Sequence, residues 1–172
     1  MTPLDWTHAI ADLPSVRTVT RDASAAELAA LTQALGVLGC QSLTVAYKIR
    51  PLSRGRYNAT GECRASVSQA CIVTLEPVAS ALVLPIDVEF SSDAGVAATG
   101  AGTGEAEVLS LPEIEPIENG ILDIGRVVFE VLAAGLDPYP RKAGATFAWD
   151  DPKAKDNKEN PFNALAKLKP KA

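Results

Sequence analysis

Ser42-Leu43-Thr44-Val45-Ala46-Tyr47-Lys48-Ile49-Arg50 places a large apolar side chain at every second position and a small or polar one between. A period of two is the pattern of a strand with one buried face. Ser53-Arg-Gly-Arg56 then reads as a turn in which Gly55 can adopt a positive φ. A second long strand runs from Tyr57 towards Cys71, and Gly61 inside it predicts a bulge or a bend. Pro77 interrupts the chain. Ala81 to Phe90 form a third strand, with Leu82, Leu84, Ile86, Val88 and Phe90 on one face and Val83, Pro85, Asp87 and Glu89 on the other. Pro85 lacks an amide for the ladder, so this strand belongs at an edge or a bulge. Antiparallel pairing of the three is the economical topology.

Working outward, Val16 to Thr20 alternate as a short strand. Ser24-Ala-Ala-Glu27 is a capping box, which opens a helix carrying Leu28, Leu31 and Leu35 on one side and stopped by Gly36. Beyond the third strand, residues 91–107 hold four glycines and little bulk and read as a flexible surface loop. Glu113-Ile-Glu-Pro-Ile-Glu118 alternates acid with apolar and predicts a short strand whose acids face solvent. Asn119-Gly120 is a turn signal. Asp123 stands where an N-cap is wanted, ahead of the stripe Ile124, Val127, Val128, Val131 and Leu132, in a helix running to about Ala134 before Pro138 and Pro140. The expected architecture is a single α+β domain over residues 1–150, an antiparallel sheet or partly open barrel with two packed helices. Residues 151–172 follow as a basic linker and a short C-terminal docking helix.

The 172 residues carry a net charge of −5, unevenly spread. Residues 151–172 have a local balance of +3, which leaves −8 on residues 1–150. An acidic body argues against body-wide nucleic-acid binding. No long apolar run that would cross a membrane occurs, and the first residues lack the basic and apolar pattern of a secretory signal. The expected location is therefore cytoplasmic.

Candidate chemistry is sparse. The single histidine, His8, lies beside Trp6, away from the cysteines in sequence. Cys40, Cys63 and Cys71 form no CxxC pair and read as small buried hydrophobes. Neither a metal nor a cofactor is expected. The Gly100-Ala-Gly-Thr-Gly-Glu105 run lacks the lysine of a phosphate-binding loop. Glu113, Glu115 and Glu118 form a carboxylate row, read as structural or partner-facing rather than catalytic. Arg50, Arg54, Arg56 and Arg64 gather around the first hairpin and form a candidate basic patch for phosphate contact.

Three spaced segments carry a resemblance. Gln69-Ala-Cys-Ile-Val-Thr-Leu-Glu-Pro77, Glu115-Pro-Ile-Glu-Asn-Gly-Ile-Leu-Asp-Ile-Gly125 and Asn160-Pro-Phe-Asn-Ala-Leu-Ala-Lys-Leu-Lys169 resemble, in this order, the YceD family. Gly135-Leu-Asp-Pro-Tyr-Pro140 is similar to the stretch that follows the family's helix. The motif positions carried over are Cys71, Glu76, Pro77, Asp123, Gly125, Asn160 and Pro161. Ser68 stands where the family often has the first cysteine of a C-x-x-C pair, which removes the basis for a zinc or redox role. The resemblance implies a non-enzymatic bacterial or plastid factor of ribosome biogenesis that supports accumulation of large-subunit rRNA, with rRNA or a ribosomal protein as partner.

The last segment also has a physical reading. Asn160 can cap and Pro161 suits the first helical position, while Phe162, Leu165 and Leu168 make an apolar stripe with Lys167 and Lys169 outward. So short a helix needs a surface to dock on. Two rivals stand beside the rRNA factor. One is an interaction module unrelated to RNA, and the other is a hydrolase using acids near 113–123.

Overall fold

A computed structural model describes residues 3–92 and 114–147 of the chain. Its centre is the alternating stretch around Val45. Strand β3 (Gly39–Pro51) pairs antiparallel with β4 (Tyr57–Ala70), which pairs antiparallel with β5 (Pro77–Ser91). On the other side of β3 lies β2 (Arg17–Asp22), also antiparallel, two residues longer at its end than the alternation suggests. Helix α1 (Ala25–Leu35) connects β2 to β3.

One face of this sheet is apolar. Leu43, Val45, Tyr47 and Ile49 of β3, Cys63 and Val67 of β4, and Ile86, Val88 and Phe90 of β5 are all buried. Leu31 of α1 and one stripe of the second helix, α2 (Ile124–Gly135), complete the core. Of the stripe its spacing predicts, Ile124, Val127, Val128 and Leu132 are buried and Val131 is partly buried against the core. The result is an open α+β sheet with two packed helices, not a closed barrel.

Local signals hold where the chain makes local structure. The Ser24 hydroxyl accepts from the Glu27 amide at 3.3 Å and the Glu27 carboxylate accepts from the Ser24 amide at 2.8 Å, while Gly36 closes α1 at φ 65°. The Asp123 carboxylate accepts from the Arg126 amide at 2.9 Å and caps α2.

Four readings are corrected. Gly61 makes no bulge, because its register with Tyr47 is continuous; a Cβ there would lie 2.6 Å from the Tyr47 Cα, so the glycine permits close backbone approach. The irregularity lies instead between Cys40 and Ser42. Pro77 opens β5, a position where a missing amide disturbs no ladder. Ser91, assigned to the flexible loop, is buried at the end of β5, and the rest of that loop beyond residue 92 lies outside the described residues. Finally, the sheet is not wholly antiparallel. Strand β6 (Ile114–Pro116) pairs parallel with β5, opposite Glu89, Phe90 and Ser91. Upstream of that short contact no strand among the described residues pairs with the free side of β5, which is where Pro85 falls.

A second, two-stranded sheet stands beside the first, beyond what the sequence pattern predicts. Strand β1 (Thr7–Ala9) pairs antiparallel with β7 (Ile121–Asp123) and ties the amino-terminal segment to the start of α2. Its signal was present in Leu4, Trp6 and His8, which alternate with Asp5, Thr7 and Ala9 and are buried at 0%, 3% and 8% exposure. The tie is reinforced at Gly125, whose amide donates to the Trp6 carbonyl at 3.0 Å while its missing Cβ leaves room for the Leu4 backbone.

Candidate functional site

The link from β4 to β5, residues 71–76, is held by a segment nearly seventy residues downstream. Within the link, the Leu75 amide donates to the Cys71 carbonyl at 2.9 Å and the Cys71 amide to the Glu76 carbonyl at 2.8 Å. Across to the segment after α2, the Ile72 amide donates to the Pro140 carbonyl at 2.9 Å and Gln69 Nε2 to the Asp137 carbonyl at 2.9 Å. Lys142 Nζ lies 3.0 Å from Glu76 Oε2. Segments 69–77 and 135–140 thus form one clasp with Lys142.

Cys71 is the hub of this clasp. Its sulfur accepts from the amides of Lys142 and Val73, each at 3.4 Å. The Lys142 amide first, and then the hydroxyl and amide of Thr74, hold the Cys71 thiol down to about 6. Hydrogen bonds to the charged form favour the thiolate. The other two cysteines behave oppositely, since burial raises Cys40 and pushes Cys63 up to about 12. All three are buried and unbridged, but Cys71 is more than a small apolar filler.

The clasp presents apolar side chains outward. Leu75 is 76% exposed, with Ile72 and Tyr139 also exposed. Leu75 is held at φ 60°, a left-handed backbone that costs a branched side chain about 1–2 kcal/mol. The link keeps this conformation because its amides are bound on both sides.

The four arginines proposed as a patch do not gather. Arg56 pairs with Glu89 at 2.7 Å across the sheet, and Arg64 pairs with Glu62 on its own strand. Arg64 stands opposite Thr44 and Val83, about 20 Å along β4 from the turn at ~3.3 Å per residue. Arg50 and Arg54 remain together at the turn, Arg50 exposed on β3 and Arg54 at φ 61°.

The acidic row is rearranged as well. The parallel register puts Glu115 beside Phe90, on the core face, so Glu115 is 9% exposed while Ile114 faces outward. A solvent-facing row is thereby overturned at its middle member, because one register step exchanges the faces of a strand. Arg126 reaches Glu115 at 3.5 Å and Glu130 at 2.9 Å. Phe90, Glu115, Glu118, Asp123 and Arg126 line a cavity of about 190 Å³. Two of its carboxylates have structural tasks: Asp123 caps α2, and Glu115 faces the Arg126 guanidinium. Glu113 lies outside the described residues.

His8 is buried on β1 and does not line this cavity. Its Nε2 lies 2.7 Å from the Tyr47 hydroxyl, and burial first, then Arg17 and Arg21, lower its pKa. Among the described residues no group of three or more His, Cys, Asp or Glu side chains has the arrangement of a metal site. No described helix is long and apolar enough to cross a membrane. Phe162, Leu165, Lys167, Lys169, Asn160 and Pro161 lie outside the described residues. No protein-family model, curated protein or solved structure matches this chain.

Proposed function

We propose that this protein is a non-enzymatic, cytoplasmic factor of ribosome biogenesis of the YceD type, supporting accumulation of large-subunit rRNA by binding that RNA or a ribosomal protein. One observation supports the reading above the others. Segments 69–77 and 135–140, which the resemblance picks out separately along the chain, meet in one clasp through Ile72 with Pro140 and Gln69 with Asp137. Residues so distant in sequence have no local reason to recur together, and a shared tertiary task supplies one. Asp123 and Gly125, from the middle segment, have equally definite tasks as the cap of α2 and the seat of the amino-terminal segment.

The test is genetic. Deleting the gene should lower the ratio of large-subunit to small-subunit rRNA, and the full chain should restore it. A variant carrying Phe162→Ala with Leu165→Ala should restore it less well, since these are the apolar anchors of the proposed docking segment. An unchanged rRNA ratio in the deletion strain would overturn the proposal.

A second reading, a protein-docking module unrelated to RNA, draws on the exposed and strained Leu75 with Ile72 beside it. Affinity capture of the full chain with and without ribonuclease separates the two. Partners that survive ribonuclease and include no ribosomal protein favour the docking module.

A further inference from the structure

The sheet face turned away from the core is divided by charge. Cross-strand register places Thr18, Lys48, Thr60 and Asp87 in one row and Arg50, Asn58 and Glu89 in the next. Over β4 and β5 the charges satisfy one another: Arg56 with Glu89, Arg64 with Glu62, and the Asn58 amide with Asp87 at 3.0 Å. Over β3 and the turn they do not. Lys48, Arg50 and Arg54 are exposed, and among the described residues no carboxylate forms an ion pair with any of them.

We infer that this corner, Lys48, Arg50 and Arg54, is a contact for the phosphate backbone of RNA. Lys48 and Arg50 leave the same face of one strand about 7 Å apart, on a scaffold rigid enough to hold that spacing. The hydroxyls of Thr18 and Thr60 flank Lys48 in its row and can donate to phosphate oxygens. Such contacts position a strand without reading its bases. The division of the face selects the ligand's shape. An anionic membrane would press on the whole face, including Asp87 and Glu89, whereas a single nucleic-acid strand is narrow enough to lie along β2 and β3 alone. The choice of RNA over other polyanions rests on the rRNA reading above.

The test uses the purified full chain and a fluorescein-labelled single-stranded oligoribonucleotide of mixed sequence, with binding followed by anisotropy over a series of potassium chloride concentrations. Lys48→Glu with Arg50→Glu should weaken binding at least tenfold and flatten the log–log salt dependence by about 1.4, two contacts at ~0.7 each. Arg56→Glu with Arg64→Glu should change affinity less than threefold. Lys48→Gln with Arg50→Gln serves as the milder variant if charge reversal disturbs folding by circular dichroism. Equal loss in both double variants would reduce the effect to net charge and overturn the inference, as would wild-type affinity in the Lys48/Arg50 variant. Tighter binding to phosphatidylglycerol vesicles or poly-glutamate than to RNA would overturn it too. Loss of this site with a normal rRNA ratio in the cell counts against the rRNA reading and leaves the site. A lowered rRNA ratio on gene deletion, with no RNA binding in vitro, does the reverse.

Discussion

The amide of Lys142 donates to the sulfur of Cys71 across 3.4 Å, joining the β4–β5 link to the segment beyond α2. A buried sulfur that accepts from two backbone amides and carries partial negative charge ties two remote parts of the chain. Cys71→Ala should therefore lower the melting temperature by several degrees, because the amides of Val73 and Lys142 lose their acceptor. Cys71→Ser, which keeps an acceptor, should lose less. Ranking the three proteins by thermal unfolding checks this, and an alanine variant as stable as the wild type would remove the hub role. A pH series adds a second check. The folded thiol sits at about 6 against an ordinary 9, so between these values the unfolded chain binds more protons and stability rises with pH. That rise should vanish in Cys71→Ala.

His8 gives a slope in a different window. Burial, then Arg17 and Arg21, lower its folded pKa below the ordinary 6.5. Below that ordinary value the unfolded chain takes up a proton that the folded chain resists, so the contribution is full above it and fades as pH falls. Wild type should lose more stability than His8→Gln between pH 7 and pH 5. Denaturant midpoints at several pH values measure the difference, and parallel curves would exclude a titrating His8.

Gly61→Ala tests the close approach of β3 and β4. The new methyl would strike the Ala46 carbonyl and the Tyr47 backbone, neither of which can rotate away. A loss of about 1–3 kcal/mol is expected in urea denaturation. Gly55→Ala, where no atom lies within 4 Å of the added Cβ, should cost only what its positive φ demands and serves as the comparison.

Leu75→Gly should leave stability unchanged or raise it by up to about 1 kcal/mol, although a large apolar side chain is removed. The side chain is mostly exposed and buries little, while its left-handed backbone is relieved. If the same variant supports less rRNA accumulation than wild type in the deletion strain, the exposed leucine acts in partner contact. A destabilisation above 1 kcal/mol would show that Leu75 packs on the body.

Elements governed by neighbours a few residues apart were legible in the chain itself. The capping box at Ser24 and Glu27, the left-handed Gly36, the N-cap at Asp123 and the α2 stripe each need only short-range geometry, and each forms as read. The alternation of Leu43 to Ile49 and of Leu82 to Phe90 likewise determined which face of β3 and β5 is buried. Tertiary structure decided what depends on register between distant segments. Alternation in Glu113 to Glu118 identifies a strand, but only pairing with Phe90 decides that Glu115 turns inward. Arg56 and Arg64 are indistinguishable from Arg50 and Arg54 in composition, and cross-strand or same-strand carboxylates alone tell them apart. Cys71 reads as a small apolar residue until Lys142 arrives beside it. A side chain's own chemistry is local, whereas its partner, its exposure and hence its charge are set by chain closure over tens of residues.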